Sequence, residues 1–139
     1  MRAIALLIII AVILVPALAA EEMIAITDEE GRNVTVPFNP SSIICLSPGA
    51  AEVIYALGES DRIIAVTDDC DMPPALLEKE SIGKSSRNAD LERIIELNPD
   101  LVIAKTGGLF PEEDEQKLTD YGIPVSFCSS SSGKRTSNS

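Results

Sequence analysis

Ile43-Ile-Cys-Leu-Ser-Pro-Gly-Ala-Ala-Glu-Val-Ile-Tyr-Ala-Leu-Gly58 decides the fold. Ile43–Leu46 is a short, unbroken apolar run, the pattern of a strand buried on both faces. Ser47 then offers a capping hydroxyl, Pro48 suits the first helical position, and Gly58 stops the helix. The same strand, start and stop recur downstream. Ile63–Val66, Leu101–Ala104 and Val125–Phe127 are further apolar strands, each following a helix stop at Ala56-Leu57-Gly58, Leu97-Asn98-Pro99 or Tyr121-Gly122. Asp90 can cap a helix opened at Leu91, and Pro111 opens one whose first turn is acidic. Ala50, Val53, Ile54 and Leu57 are expected to form one core-facing stripe, and Leu91, Ile94 and Ile95 another.

Apolar strands alternating with helices predict an α/β fold, a parallel sheet with helices on both faces and right-handed crossovers. Upstream, Met23–Thr27 and Asn33–Val36 flank the turn Asp28-Glu-Glu-Gly-Arg32 and read as a short β-hairpin, closed by Pro37 and Pro40. No fixed-period repeat is present.

The ends have a different composition. Arg2, the apolar run Ala3–Val15, Pro16 and the small residues Ala17 and Ala19 read as a signal peptide over 1–19, since the run is shorter than the ~20 residues that span a bilayer. Its removal from 139 residues leaves 120, enough for one domain. The lobe is expected over 20–127, and 128–139 reads as a disordered serine-rich tail. The formal charge is −11 and becomes −12 without Arg2, which argues against nucleic acid or an anionic membrane surface as partner.

Ligands of open parallel sheets sit beyond the carboxyl ends of the strands. The informative segments are therefore Ser47-Pro48-Gly49, Asp68–Pro74, Ser85–Ala89 and Lys105–Gly108. Ser47 has no histidine anywhere in the chain to serve as its base, and Gly107-Gly108 lacks a phosphate-loop pattern. Neither points to catalysis. Asp68, Asp69 and Asp71 could hold a hard cation, but without EF-hand spacing a solvated acidic loop is the favoured reading. Cys45, Cys70 and Cys128 form no CxxC, so they read as buried half-apolar residues and no zinc or other metal site is expected.

Five segments in order carry a family resemblance. They are Ile26–Pro37, Ile43–Gly58, Cys70-Asp-Met-Pro-Pro74, Asn88–Ala104 and Tyr121-Gly-Ile-Pro-Val125. Together they resemble the amino-terminal lobe of the cobalamin and iron-siderophore class of periplasmic solute-binding proteins. That resemblance implies a non-enzymatic, exported component of an ABC importer, binding a metal chelate between two lobes and needing no cofactor. It implies ligand contacts from Ser47, Pro48, Asp69, Ser86 and Lys105, and docking of Glu92 on the permease. The chelate implied is cobalamin or a ferric siderophore; in cobalamin-binding members the places matching Asp69, Ser86 and Lys105 are aromatic, so this departure puts cobalamin specificity in question and leaves a polar chelate or a differently lined pocket as alternatives. The family's connecting helix should follow Phe127, whereas this chain continues into the serine-rich segment, so a truncated form is expected. The alternatives are a remnant lobe that binds nothing and, further off, a small flavodoxin-like enzyme.

Overall fold

The computed structural model describes residues 20–129. The expected signal peptide, and the expected tail beyond Ser129, lie outside the described residues. Seven strands and three α-helices follow in the order β1 (Met23–Thr27), β2 (Asn33–Pro37), β3 (Ile43–Cys45), α1 (Pro48–Ala56), β4 (Ile63–Val66), β5 (Glu80–Ser81), α2 (Leu91–Leu97), β6 (Leu101–Lys105), α3 (Glu112–Asp120) and β7 (Val125–Cys128). Strands β1 and β2 form the expected antiparallel hairpin. The other five make a parallel sheet in the order β5-β4-β3-β6-β7, with helices on both faces as the apolar strands predicted.

Side chains alternate across the sheet. Ile44, Leu46, Val102, Ala104, Val125 and Phe127 point to the face covered by α2 and α3, where Ile94 and Leu118 complete the core. Ile43, Cys45, Ile63 and Val66 point to the other face, covered by α1 through Ala51 and by the 3₁₀ turn Pro74–Glu78 through Leu76. Strand starts are pinned as well. The Asp100 carboxylate accepts from the backbone N–H of Ser41 (2.7 Å) and Ser42 (3.1 Å), aligning β6 with β3.

Four details depart from the expectation. In α1 the buried residue is Ala51, with Ile54 half-buried, while Val53 and Leu57 are 59% and 72% exposed. The helix is rotated because only one edge of a short, almost wholly apolar segment meets the sheet. Ser47 stands at the N-cap but makes no side-chain cap; its buried hydroxyl accepts from the Cys128 thiol at 3.2 Å. Cys128 therefore belongs to β7 and not to a tail. Strand β5, two exposed residues on β4, carries no apolar signal at all.

The fastening of the hairpin to the sheet centres on Asp28. The Asp28 side chain has no solvent exposure, and its Oδ1 accepts from the N–H of Glu30 and of Arg32, each at 3.0 Å. Oδ2 accepts from Arg32 Nε (3.1 Å) and Nη2 (2.9 Å) and from the Phe127 N–H (3.3 Å). Arg32 also pairs with Glu115 of α3 and lies 4.2 Å above the Phe127 ring. Burial alone would raise the Asp28 pKa, but the Arg32 N–H, its guanidinium and the Phe127 N–H outweigh it and hold the carboxyl below the aspartate range.

A depressed folded pKa contributes stability that is fully present above the unfolded value of 3.8 and is lost as pH falls through the lower folded value. In Asp28→Asn the amide NH₂ takes the place of an oxygen facing the donors of Arg32 and Phe127. A loss of about 2–4 kcal/mol is expected in urea unfolding at pH 7, with a shallower acid limb in the variant. Equal stability at pH 7 would show that the hairpin is held some other way.

Candidate functional site

Thr67, directly after β4, is fully buried, and its hydroxyl donates to Asp69 Oδ1 at 2.6 Å. This turns Asp69 toward the space beyond the sheet. Asp68 instead accepts from the Ser81 hydroxyl of β5, so the neighbouring carboxylates serve separate local partners. Among the described residues no three acidic or cysteine side chains are grouped as metal ligands.

The second wall comes from a closed loop. The Asp68 N–H donates to Gly83 O (2.9 Å), and Gly83 bridges to Ala89, pinching off Lys84–Asn88. Glycine is required there: φ is +131°, and a Cβ would lie 2.1 Å from the Asn88 carbonyl oxygen. Inside the loop the Asn88 N–H returns to Ser85 O at 2.9 Å, a 3₁₀ turn over Ser86–Asn88. Ser86 is 2% exposed, and its hydroxyl accepts from the Lys105 N–H at 3.4 Å, fastening the loop to the end of β6.

These elements enclose an open pocket of about 280 Å³, lined by Asp69, the loop residues Ser85–Asn88, Lys105 and Leu109. Three of the five expected ligand residues, Asp69, Ser86 and Lys105, meet here. Ser47 and Pro48 do not line it: Ser47 is buried against Cys128, and Pro48 opens α1 on the next loop. Arg87, Asn88 and Leu109 were not singled out from the sequence, although the run Lys84-Ser-Ser-Arg-Asn88, with its two cations in an acidic chain, is the signal that could have drawn attention to them. Leu109 is the single apolar side chain of the lining, so the surface favours polar ligand groups.

A larger groove, about 440 Å³, lies between β2 and the α3–β7 connection. It flanks the hairpin and is far less polar than the pocket at the strand ends. Topology favours the smaller pocket, which lies beyond the carboxyl ends of β4 and β6.

Glu92 stands outside the pocket, exposed in the first turn of α2. The Asp90 side chain caps that helix by accepting from the Arg93 N–H at 3.0 Å, as its position predicted. Arg93 pairs with Glu80 (2.6 Å) and Glu96 (3.0 Å), leaving Glu92 without a salt bridge among the described residues. The carboxylate that the family resemblance assigns to docking is the one that α2 leaves unneutralised.

Gly83→Ala forces the loop away from its own backbone, and a destabilisation of about 2–4 kcal/mol is expected, with faster hydrogen exchange at the Asp68 and Asn88 amides. Unchanged protection of those amides would show that the loop has room for the side chain.

Comparison with known proteins agrees with this fold. The family described as "Periplasmic binding protein" matches residues 43–137. An uncharacterised ABC transporter substrate-binding lipoprotein of Bacillus subtilis is 34% identical over 103 residues, 73% of this chain and 32% of the relative. The crystal structure of the periplasmic vitamin B12 binding protein of Vibrio cholerae superposes with a TM-score of 0.58 at 35% identity, covering 66% of this chain and 35% of that one. A periplasmic heme binding protein of Pseudomonas aeruginosa gives 0.59 at 25% identity, covering 66% and 32%. The chain thus spans about a third of the length of the curated relatives it matches. With its parallel sheet, its pocket beyond the strand ends and a family match over most of its length, this chain belongs to the periplasmic binding protein family.

Proposed function

We propose that this chain forms the amino-terminal lobe of an extracytoplasmic solute-binding component of an ABC importer, non-enzymatic, that captures a metal chelate and presents it to a permease. The observation that carries this reading is the convergence of Asp69, Ser86 and Lys105 from separate elements on one open pocket beyond the strand ends. A pocket of about 280 Å³ open to one side is a wall of a site, suited to a ligand that a second surface covers. Binding, rather than chemistry, fits side chains that offer hydrogen bonds and charge but no nucleophile paired with a base. A ferric siderophore or another polar chelate suits this wall better than the flat face of cobalamin, which needs aromatic or apolar contact. Export rests on the leader over 1–19.

Docking falls to Glu92, whose charge is open to solvent beside a pair already neutralised. A carboxylate of this kind attracts a basic surface, and reversing it turns attraction into repulsion. In a two-lobe protein carrying this lobe, Glu92→Arg is expected to cut permease-coupled uptake by tenfold or more while ligand affinity stays within about twofold. Normal uptake would remove the docking role.

One wall cannot match the cost of association. The chain by itself is expected to bind cobalamin, a ferric catecholate or a ferric hydroxamate no more tightly than about micromolar in calorimetric titration. Nanomolar binding of any of the three by monomeric chain would show that the lobe is a complete site. Self-association must be followed in the same samples, because a second copy could supply the other wall.

A further inference from the structure

Arg87 and Lys105 come from different elements, the closed loop and the end of β6, and line the same pocket. Among the described residues Arg32, Arg62 and Arg93 are each engaged by carboxylates, whereas neither Arg87 nor Lys105 forms a salt bridge. The only carboxylate in the lining, Asp69, already accepts the Thr67 hydroxyl. Two cations against one carboxylate leave the pocket locally positive in a chain whose formal charge is −11. Such a local reversal focuses an anion at that place and not on the surrounding surface.

The arrangement is held in advance. The Gly83–Ala89 bridge closes the loop that carries Arg87, and the Lys105 N–H to Ser86 Oγ bond ties that loop to the strand that carries Lys105. The two cations therefore remain on one pocket without a carboxylate drawing either away. Asn88 accepts the Ser85 hydroxyl through Oδ1 at 3.4 Å, which leaves its amide NH₂ able to donate. A forked guanidinium, an ammonium and an amide donor make up a recognition set for carboxylate or phosphate oxygens.

We propose that Arg87 and Lys105 form an oxyanion subsite, so that the ligand of this lobe is an anionic chelate presenting a carboxylate or phosphate-like group, with Asp69 opposing anions and so limiting how tightly they are held. The proposal rests on the reading of this pocket as the ligand wall and adds the charge class of the ligand and two residues that discriminate it. Arg87 is the decisive addition, since no part of the family resemblance pointed to it.

The test uses the full chain, with amide NMR titrations of citrate and of inorganic phosphate at constant ionic strength, and cobalamin and a ferric hydroxamate alongside. Citrate and phosphate are expected to shift the amides of Ser85–Asn88 and Lys105 first. Arg87→Gln and Lys105→Gln should each weaken citrate about fivefold, the size of one short-range charge contact near a surface. Lys84→Gln, a cation adjacent in the chain but outside the pocket lining, should leave it unchanged. Asp69→Asn keeps an acceptor for Thr67, removes the opposing charge, and should strengthen citrate two- to fivefold.

Weaker citrate binding in Asp69→Asn would mean that Asp69 helps to hold the anion instead of opposing it, and would overturn the charge balance on which the proposal rests. So would the same shifts in an Arg87→Gln/Lys105→Gln double variant, or no shift at these amides in a wild-type chain whose spectrum is folded. If cobalamin or the hydroxamate perturbs these amides while citrate and phosphate do not, the oxyanion subsite falls and the chelate-binding reading stands. If citrate behaves as expected and neither chelate binds, the subsite stands and the chelate reading is unaltered, since a single wall is expected to hold a chelate weakly.

Discussion

Five N–H groups converge on the carboxylate of Asp28, and the outer edge of the sheet depends on it. Strand β7 pairs on one side with β6 and would otherwise offer an open edge. The hairpin turn covers that edge: Asp28 takes the Phe127 N–H, the Glu29 N–H donates to Phe127 O at 3.2 Å, and Glu29 accepts from the Ser129 N–H. The same turn reaches the loop after β6, where Glu30 accepts the Gly107 N–H at 3.2 Å. A buried charge without these donors would cost several kcal/mol, so hairpin, β7 and α3 are stable in this arrangement only together. Asp100 is built on the same principle at the opposite end of the sheet: burial opposes its charge, and the N–H and hydroxyl groups of Ser41 and Ser42 hold its pKa down.

The elements whose signals are local were legible in the sequence. Apolar runs without alternation marked β3, β4 and β6, Val125 and Phe127 after the stop at Tyr121-Gly122 marked β7, and Asp90 and Asn98 bounded α2, Asn98 at φ +44° taking the left-handed position that glycine usually fills. What depended on distant partners was hidden. Strand β5 is Glu80 and Ser81, which no propensity favours; it pairs because the crossover after β4 brings it alongside. Ser47 carried a cap signature, but its hydroxyl is engaged by the thiol of Cys128, 81 residues away in the chain, and makes no cap bond. The rotation of α1 could not be read, because Ala50, Ala51, Val53 and Ile54 permit two apolar stripes and only the sheet chooses between them.

The candidate site divides in the same way. Ranking loops by position after a strand brought the segments Asp68–Pro74, Ser85–Ala89 and Lys105–Gly108 to one rim, and the family resemblance picked Asp69, Ser86 and Lys105 within them. It could not separate a rim residue facing the pocket from one turned into the protein. Ser47 is wholly buried while Arg87, within a segment already marked as rim, is exposed and lines the pocket. That difference is made by the Gly83–Ala89 pinch, a contact of backbone with backbone that leaves no side-chain pattern beyond a glycine.

Rigidity and openness coexist in this pocket for a physical reason. If this pocket is the ligand wall proposed above, it gains by having its own groups ordered beforehand, because each side chain immobilised on binding subtracts about 0.5–1.5 kcal/mol from affinity. The pocket meets that demand through backbone: a bridge, a turn and a hydroxyl fix three of its sides before any ligand arrives. What the backbone does not supply is enclosure, and in an open pocket water screens the charges of Arg87 and Lys105. Covering the pocket would strengthen those same charges by lowering the local dielectric, so the affinity of this wall is set largely by what closes over it.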